Sequence, residues 1–359
     1  MNKKTLITLA AITAGLLLLV VVSNGMRSGQ GTVAEGVPLY ENLDQQINDV
    51  TQVEIRGEAD QQVSLALKDD QWVVTNRKDY PADVEKLRRE LVKLGRARIV
   101  ETKTSNPERY SLLSVQDIDK ADAETRQIRL QDSQGNELAH LIIGDSSSQG
   151  GSNVRKVGDA QALLVSEAFY LSPEPRQWIK KKIIELASTR VHRVIVKPAT
   201  GPAYTLVKTS RANTGYELEG RKDKLDAGMS SRVGSALNNL RAQDIYVEPP
   251  PSDGWKQARY ETFDGVVVEV RTQKVGEDYL MTLSPSYDAE LAAKFAPEHK
   301  DTEEDAEAAK KKQAEAVEKF KAEVKDMKAR VEGWVYIVSE YDANMTSRTL
   351  EQLLKKAAK

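Results

Sequence analysis

The sequence predicts an α+β protein in which an N-terminal transmembrane helix precedes two tandem, duplicated domains. Each domain reads as an antiparallel sheet with packed helices, and the second carries a long helical insertion. Three observations carry this expectation. Thr5 to Val22 is an unbroken run of apolar and small residues that follows Lys3 and Lys4 and contains no charge. A succession of alternating segments punctuated by one helical stretch occurs twice, about 140 residues apart. The stretch from Thr302 to Glu332 is dense in Ala, Glu and Lys and free of Gly and Pro.

The apolar run sets the expected address. A hydrocarbon core of about 30 Å takes about 20 helical residues, with a lower limit near 17, and Thr5 to Val22 meets it. Signal-peptide cores are shorter, about 7 to 15 residues, and end in a small-x-small site. Val21-Val22-Ser23 fits such a site poorly, so an uncleaved signal anchor is expected, with cleavage after Ser23 as the alternative. Lys3 and Lys4 outnumber Arg27, which keeps residues 1–4 in the cytoplasm. The expectation is a single-pass protein of the inner (cytoplasmic) membrane with its body in the periplasm. Residues 23–46 contain Gly25, Gly29, Gly31 and Gly36 among polar neighbours and read as a flexible tether.

Composition narrows the function classes. A chain of 359 residues is long for one core and comfortable for two. Its 52 basic and 54 acidic residues leave a net charge of -2, without the basic footprint that tracks a phosphate backbone, so nucleic acid is not expected as a partner. The lack of cysteine excludes disulfides, thiol nucleophiles, thiolate metal sites and a cysteine-linked lipid anchor.

The first domain is expected over 47–187. Val50 to Arg56, Val63 to Leu67 and Trp72 to Val74 read as a strand meander, with Asp69-Asp70 as a turn. A helix is expected from Tyr80-Pro81 to Gly95, its apolar face formed by Val84, Leu87, Leu91 and Leu94. The second domain, 188–359, repeats this order. Val191 to Lys197, Tyr204 to Val207 and Tyr216 to Leu218 answer the meander, and Met229, Val233, Leu237 and Leu240 answer the helix. Arg77-Lys78-Asp79 recurs as Arg221-Lys222-Asp223, and Leu94 with Arg96-Ala97 recurs as Leu240-Arg241-Ala242. A hairpin over Gln127 to Ile143 is paired with one over Val266 to Leu283. Each unit is expected to close with a strand running into a short helix, Leu164 to Glu167 with Trp178 to Lys181, against Ile337 to Glu340 with Leu353 to Lys356.

The copies differ most where the first has the polar loop Gly144 to Asn153 and the second an insertion over 288–332. Within that insertion Val317, Phe320, Val324, Met327 and Val331 step by three and four, the pattern of a helix seam. This stripe is the candidate partner-facing surface; docking on its own sheet is the alternative, since two heptads fall short of a coiled coil.

Catalytic patterns are absent from the sequence. His140, His192 and His299 lack zinc-ligand spacing. The Gly/Ser loop from Gly144 to Ser152 lacks the Lys-Ser/Thr ending of a phosphate loop, and neither Ser147 nor Ser166 sits in a G-x-S-x-G context. No catalytic, cofactor-binding or metal-binding residue is assigned, no cofactor is expected, and the protein is expected not to be an enzyme.

Asp70-Gln71-Trp72, Pro81-Ala82-Asp83, Tyr110-Ser111-Leu112, Ile143-Gly144-Asp145 and Val154-Arg155 occur in that order. In this succession the chain resembles a periplasmic family of unknown function found beside gliding-motility-type (Gld-like) ABC transporters. The resemblance implies an anchored accessory or scaffold subunit, working with the transporter permease and a second extracytoplasmic subunit. The other expectation is an envelope module that binds a glycan or lipid between the two repeats. Extraction of membranes with alkaline carbonate should leave the protein in the pellet, whereas recovery of a soluble body beginning at Asn24 would contradict the anchor.

Overall fold

The structure, a computed structural model, describes residues 36–58, 60–120, 125–148, 150–295 and 303–354. Thr5 to Val22, His299 and Lys355-Lys356 lie outside the described residues. Among the described residues no helix is long and apolar enough to cross a membrane. The chain forms a mixed α/β structure built on antiparallel sheets, and it divides into two compact units. One comprises Lys86–Pro173 with the described residues up to Gln62, the other Val63–Glu85 with Glu174 onward.

In the first unit, α1 (Leu43–Gln46) precedes β1 (Gln52–Arg56). Residues 36–46, expected as part of a tether, are instead packed into this unit. Leu39 and Leu43 are buried. Leu39 N–H donates to Ala97 O, and Ile99 N–H to Val37 O. Two regularly spaced leucines in a Gly-containing stretch were enough to anchor it, because each buried Leu is worth about 1.5–3 kcal/mol.

The second unit takes from the first half of the chain β2 (Gln62–Lys68, apart from its first residue), β3 (Gln71–Val74) and β4 (Tyr80–Pro81). These form an antiparallel meander. Helix α2 (Val84–Arg96) starts three residues later than Pro81 and ends one after Gly95. Leu87, Leu91 and Leu94 are buried, while Val84 is exposed. Strand β5 (Ile99–Thr102) follows, then β6 (Arg126–Gln131), β7 (Glu137–Ser146), β8 (Ser152–Lys156) and β9 (Ala162–Val165). Within the first unit the strand order is β1-β6-β7-β8-β9-β5, antiparallel throughout. Strands β8 and β9 are buried at almost every position, the pattern of strands covered on both faces.

The second unit continues with β10 (Lys182–Ile184), β11 (Val191–Lys197), β12 (Tyr204–Val207), β13 (Glu217–Leu218), α3 (Ala227–Gly234), β14 (Leu240–Arg241), β15 (Asp244–Ile245), β16 (Lys256–Thr262), β17 (Val266–Val275), β18 (Asp278–Tyr287), α4 (Ala289–Lys294), α5 (Glu303–Val331), β19 (Tyr336–Val338) and α6 (Glu340–Ser347). Its large sheet runs β13-β12-β11-β16-β17-β18-β19-β15. From β11 onward this is the connection order of the first unit.

Several sequence expectations are corrected. The topological counterpart of the β6–β7 hairpin is β16–β17, not β17–β18, because β16 was not foreseen. Its inward residues are Ala258, Tyr260 and Thr262, a weak apolar alternation. The long insertion consequently lies between β18 and β19, matching the short β8–β9 connection rather than the Gly144 to Asn153 loop. Trp178 to Lys181 is not helical: Trp178 and Ile179 are fully buried, and Ile179 bridges Ala82. Helix α3 ends at Gly234, so Leu237 and Leu240 are buried beyond it. A Cβ at Gly234 would stand 2.2 Å from the Tyr216 ring. Leu353 sits in a single 3-10 turn, and the helix in this region is α6, capped by Ser339 Oγ, which accepts from Asp342 N–H.

The Ile143-Gly144 pair has a packing cause. A Cβ at Gly144 would lie 1.9 Å from Leu113 O, a backbone atom that cannot swing aside. The adjoining cluster of Tyr110, Val115, Ile142 and Ala162 is buried. Gly144→Ala should lower the urea midpoint at unchanged slope, by about 1–3 kcal/mol of stability; an unshifted midpoint would contradict this close approach.

Candidate functional site

Helix α5 is the feature that distinguishes the second unit. Its 29 residues are nearly all good helix formers, and at about 1.5 Å per residue it is about 43 Å long. The candidate stripe divides along it. Val324, Met327 and Val331 are buried within the unit, and Val317 and Phe320 are half-buried. Toward the N-terminus, residues 307–316 contain no buried side chain, and Lys310, Lys311 and Lys312 are exposed.

A charged clamp fixes the packed half. Arg190 Nε donates to Asp264 Oδ2 at 2.9 Å and Nη2 to Oδ1 at 3.0 Å. From the helix, Glu323 Oε1 accepts from Arg190 Nη1 at 2.7 Å and Oε2 from Nη2 at 3.0 Å. The Phe320 ring lies 5.1 Å from the same guanidinium. Asp264 is 3 % exposed at its side chain. It accepts from the Thr262 hydroxyl at 2.6 Å, and Arg211 approaches to 3.7 Å. The β16–β17 turn presents Asp264 because Gly265 takes a left-handed φ of +85°, where a Cβ would also meet Asp288 O at 2.5 Å.

Electrostatics follow from the geometry. Burial alone would raise the Asp264 carboxyl, but the hydrogen bonds from Arg190 and Thr262 and the two arginine charges outweigh it and hold the carboxyl below its usual 3.8. Burial opposes the charge of Arg190, and Asp264 with Glu323 more than restore it, so the guanidinium is held above its ordinary value. Asp264 and Arg190 therefore both keep their charges at neutral pH, and their pairing joins the turn to the helix.

The remaining named residues are placed as follows. His140 accepts at its backbone carbonyl a 2.9 Å hydrogen bond from the Tyr40 hydroxyl. The His192 ring is 2.7 Å from Lys208 O and packs against Phe263 and Phe295. Among the described residues no group of three or more His, Cys, Asp or Glu could hold a metal ion. Tyr110 and Arg155 of the recurring motifs are buried structural residues, Arg155 donating from Nε to Val115 O. The Arg77 and Arg221 tripeptides fold differently: Lys78 and Asp79 have positive φ, and Arg77 pairs with Asp244 at 2.6 Å, whereas Arg221 pairs locally with Asp223. Sequence reasoning missed the Arg190 clamp. Its one local signal was Asp264-Gly265 between alternating segments, a hairpin-turn pair.

A cavity of about 460 Å3 adjoins the last turn of α5, with Glu269, Ser284, Ser286, Lys328, Val331 and Trp334 among its walls.

Fold and site together define an antiparallel α+β architecture carrying a long helix pinned at one end. Residues 72–259, just over half of the chain, match the family model described as "Domain of unknown function (DUF4340)", and the chain belongs to that family. No curated protein and no solved structure is significantly similar to it.

Replacing Arg190 with Gln leaves Asp264 buried without its main partner and should cost about 3 kcal/mol in urea unfolding. A group with a depressed pKa contributes fully above its unfolded value and loses that contribution as pH falls through the folded one. The stability gap between wild type and Asp264→Asn should therefore be flat from about pH 7 to 5 and narrow only below about 4. A gap that closes near neutrality, or an unchanged midpoint for Arg190→Gln, would contradict the clamp.

Proposed function

We propose that the protein is a membrane-anchored extracytoplasmic accessory or scaffold subunit of a Gld-like ABC transport system, non-enzymatic and acting through protein–protein contacts. The observation that carries this reading is helix α5, clamped over its C-terminal half by Arg190 and free of buried side chains over residues 307–316. An exposed helix of this length in a single chain is weakly stable on its own, and contact with another protein would stabilise it. The charge-free run from Thr5 to Val22 supports the anchor and the periplasmic placement of the body. The shared strand order supports an origin by duplication of one α+β domain, with the helix elaborated in the second copy. The transporter permease and a second extracytoplasmic subunit are the proposed partners, following the resemblance of the recurring motifs.

A second reading, an envelope glycan-binding module, is favoured by the cavity beside Trp334. Its volume lies in the usual range for ligand sites, about 300–1,000 Å3, and its wall combines an aromatic ring with hydroxyls and a carboxylate.

Purification of the full chain in mild detergent should bring down a permease and an ATPase. Exchanging Lys310, Lys311 and Lys312 for Glu should reduce that recovery while leaving the urea midpoint in place. Repeated recovery of the wild-type chain alone would overturn the scaffold reading.

A further inference from the structure

We propose that the second unit carries a binding site for a phosphate-type oxyanion, where the β11–β12 turn, the start of β16 and the chain leaving α6 converge. A cavity of about 180 Å3 lies there, lined by Lys256, Arg348, Thr200, Asn344, Ser347 and Thr349, and no Asp or Glu is among its lining residues.

The fold explains why two cations meet at this place. Lys256 opens β16, and strand alternation puts it on the face of Ala258 and Tyr260, both buried. It therefore ends the inward row of the strand, at the rim of the core. Arg348 follows α6 in an extended conformation, and its backbone is fixed by the Tyr204 hydroxyl, which donates to Arg348 O at 3.0 Å. The Nε atoms of Arg129, Arg193 and Arg348 are all buried without a hydrogen-bond partner, but Arg129 and Arg193 have carboxylate partners and Arg348 has none among the described residues. Arg190 pairs with Asp264 and Arg155 with Asp117, whereas Arg348 Nε is buried without a hydrogen-bond partner. Among the described residues neither Arg348 nor Lys256 has an ion-pair partner.

Two cations without carboxylate partners lining one acid-free cavity point to a ligand that supplies the counter-charge. An arginine fork beside a lysine point charge suits an oxyanion. Thr200, Thr349 and Asn344 add neutral donors around the same space, more than a planar carboxylate would use and in keeping with a tetrahedral group. The volume is below the range of about 300–1,000 Å3 typical of larger ligands, which favours a single phosphate group over a nucleotide. That group is either free phosphate or the phosphomonoester of a lipid headgroup. The site stands apart from α5 and does not depend on the scaffold reading.

The test is calorimetric titration of the full chain in detergent, in phosphate-free buffer, with inorganic phosphate, glycerol phosphate, and acetate and chloride at matched ionic strength. Saturable heat with phosphate is expected. Arg348→Gln should weaken binding by about tenfold or more, and Lys256→Gln by less. Both variants should keep the wild-type urea midpoint, since neither side chain has an internal partner to lose. Tighter binding of glycerol phosphate than of inorganic phosphate supports the site with a headgroup as its source, and the reverse order supports it with free phosphate. Absence of saturable heat, equal binding of acetate, or unchanged affinity in Arg348→Gln would overturn the proposal.

Discussion

The ion pair between Arg190 and Asp264 is the joint on which the second unit depends. It gathers three parts of the chain that no local signal brings together: the turn preceding β11, the β16–β17 hairpin turn and the long helix through Glu323. The backbone adds to it, since Phe263 N–H donates to Arg190 O at 2.9 Å. Buried ion pairs of this kind contribute little net stability compared with well-packed apolar residues, but they tolerate only one geometry. Here that geometry sets where α5 lies against its sheet. The apolar residues Val324, Met327 and Val331 then supply the burial that holds it there.

Much of the fold was legible in the sequence wherever alternation was strong. The segments now seen as β1, β2, β6, β11 and β12 are rich in Val, Ile and Leu at every second position, and a half-buried sheet reads them out directly. Strand β16 was missed because Ala258 and Thr262 carry little apolar signal, and its loss shifted the pairing of the two halves by one strand. Helix α6 was missed although Ser339-Glu340-Tyr341-Asp342 has the spacing of a capping box. Residues 36–46 looked like a tether because glycine and polar residues outnumber Leu39 and Leu43, yet those two leucines decide their packing. Spacing marked the α5 stripe as a candidate partner-facing surface, whereas Val324, Met327 and Val331 are buried within the unit and only Val317 and Phe320 stay half-buried. The clamp was illegible for a different reason: Arg190 lies 74 residues from Asp264 and 133 from Glu323, and charged residues are too common for such pairs to stand out.

Six strands in each unit share one order, and the largest difference among their connections lies before the fifth. In the first unit, β8 passes to β9 through residues 157–161; in the second unit, the equivalent connection contains α4 and α5. Loops tolerate long insertions because the entropy of closing them grows slowly with length. A sheet domain can therefore acquire a helical arm without altering its strand order, provided one end of the arm is fixed. The Arg190 clamp provides that fixing point in the second unit, while Tyr110, Gly144 and Arg155 are packing residues of the first.

Helix α5 is held firmly over its C-terminal half and has no buried side chain over residues 307–316. Native-state amide hydrogen exchange along Glu303–Val331 in the full chain tests this most directly. The clamp and the burial of Val324, Met327 and Val331 predict slow exchange from about residue 320 onward and fast exchange over 307–316. Uniform protection along the whole helix, or faster exchange in its C-terminal half, would contradict the account.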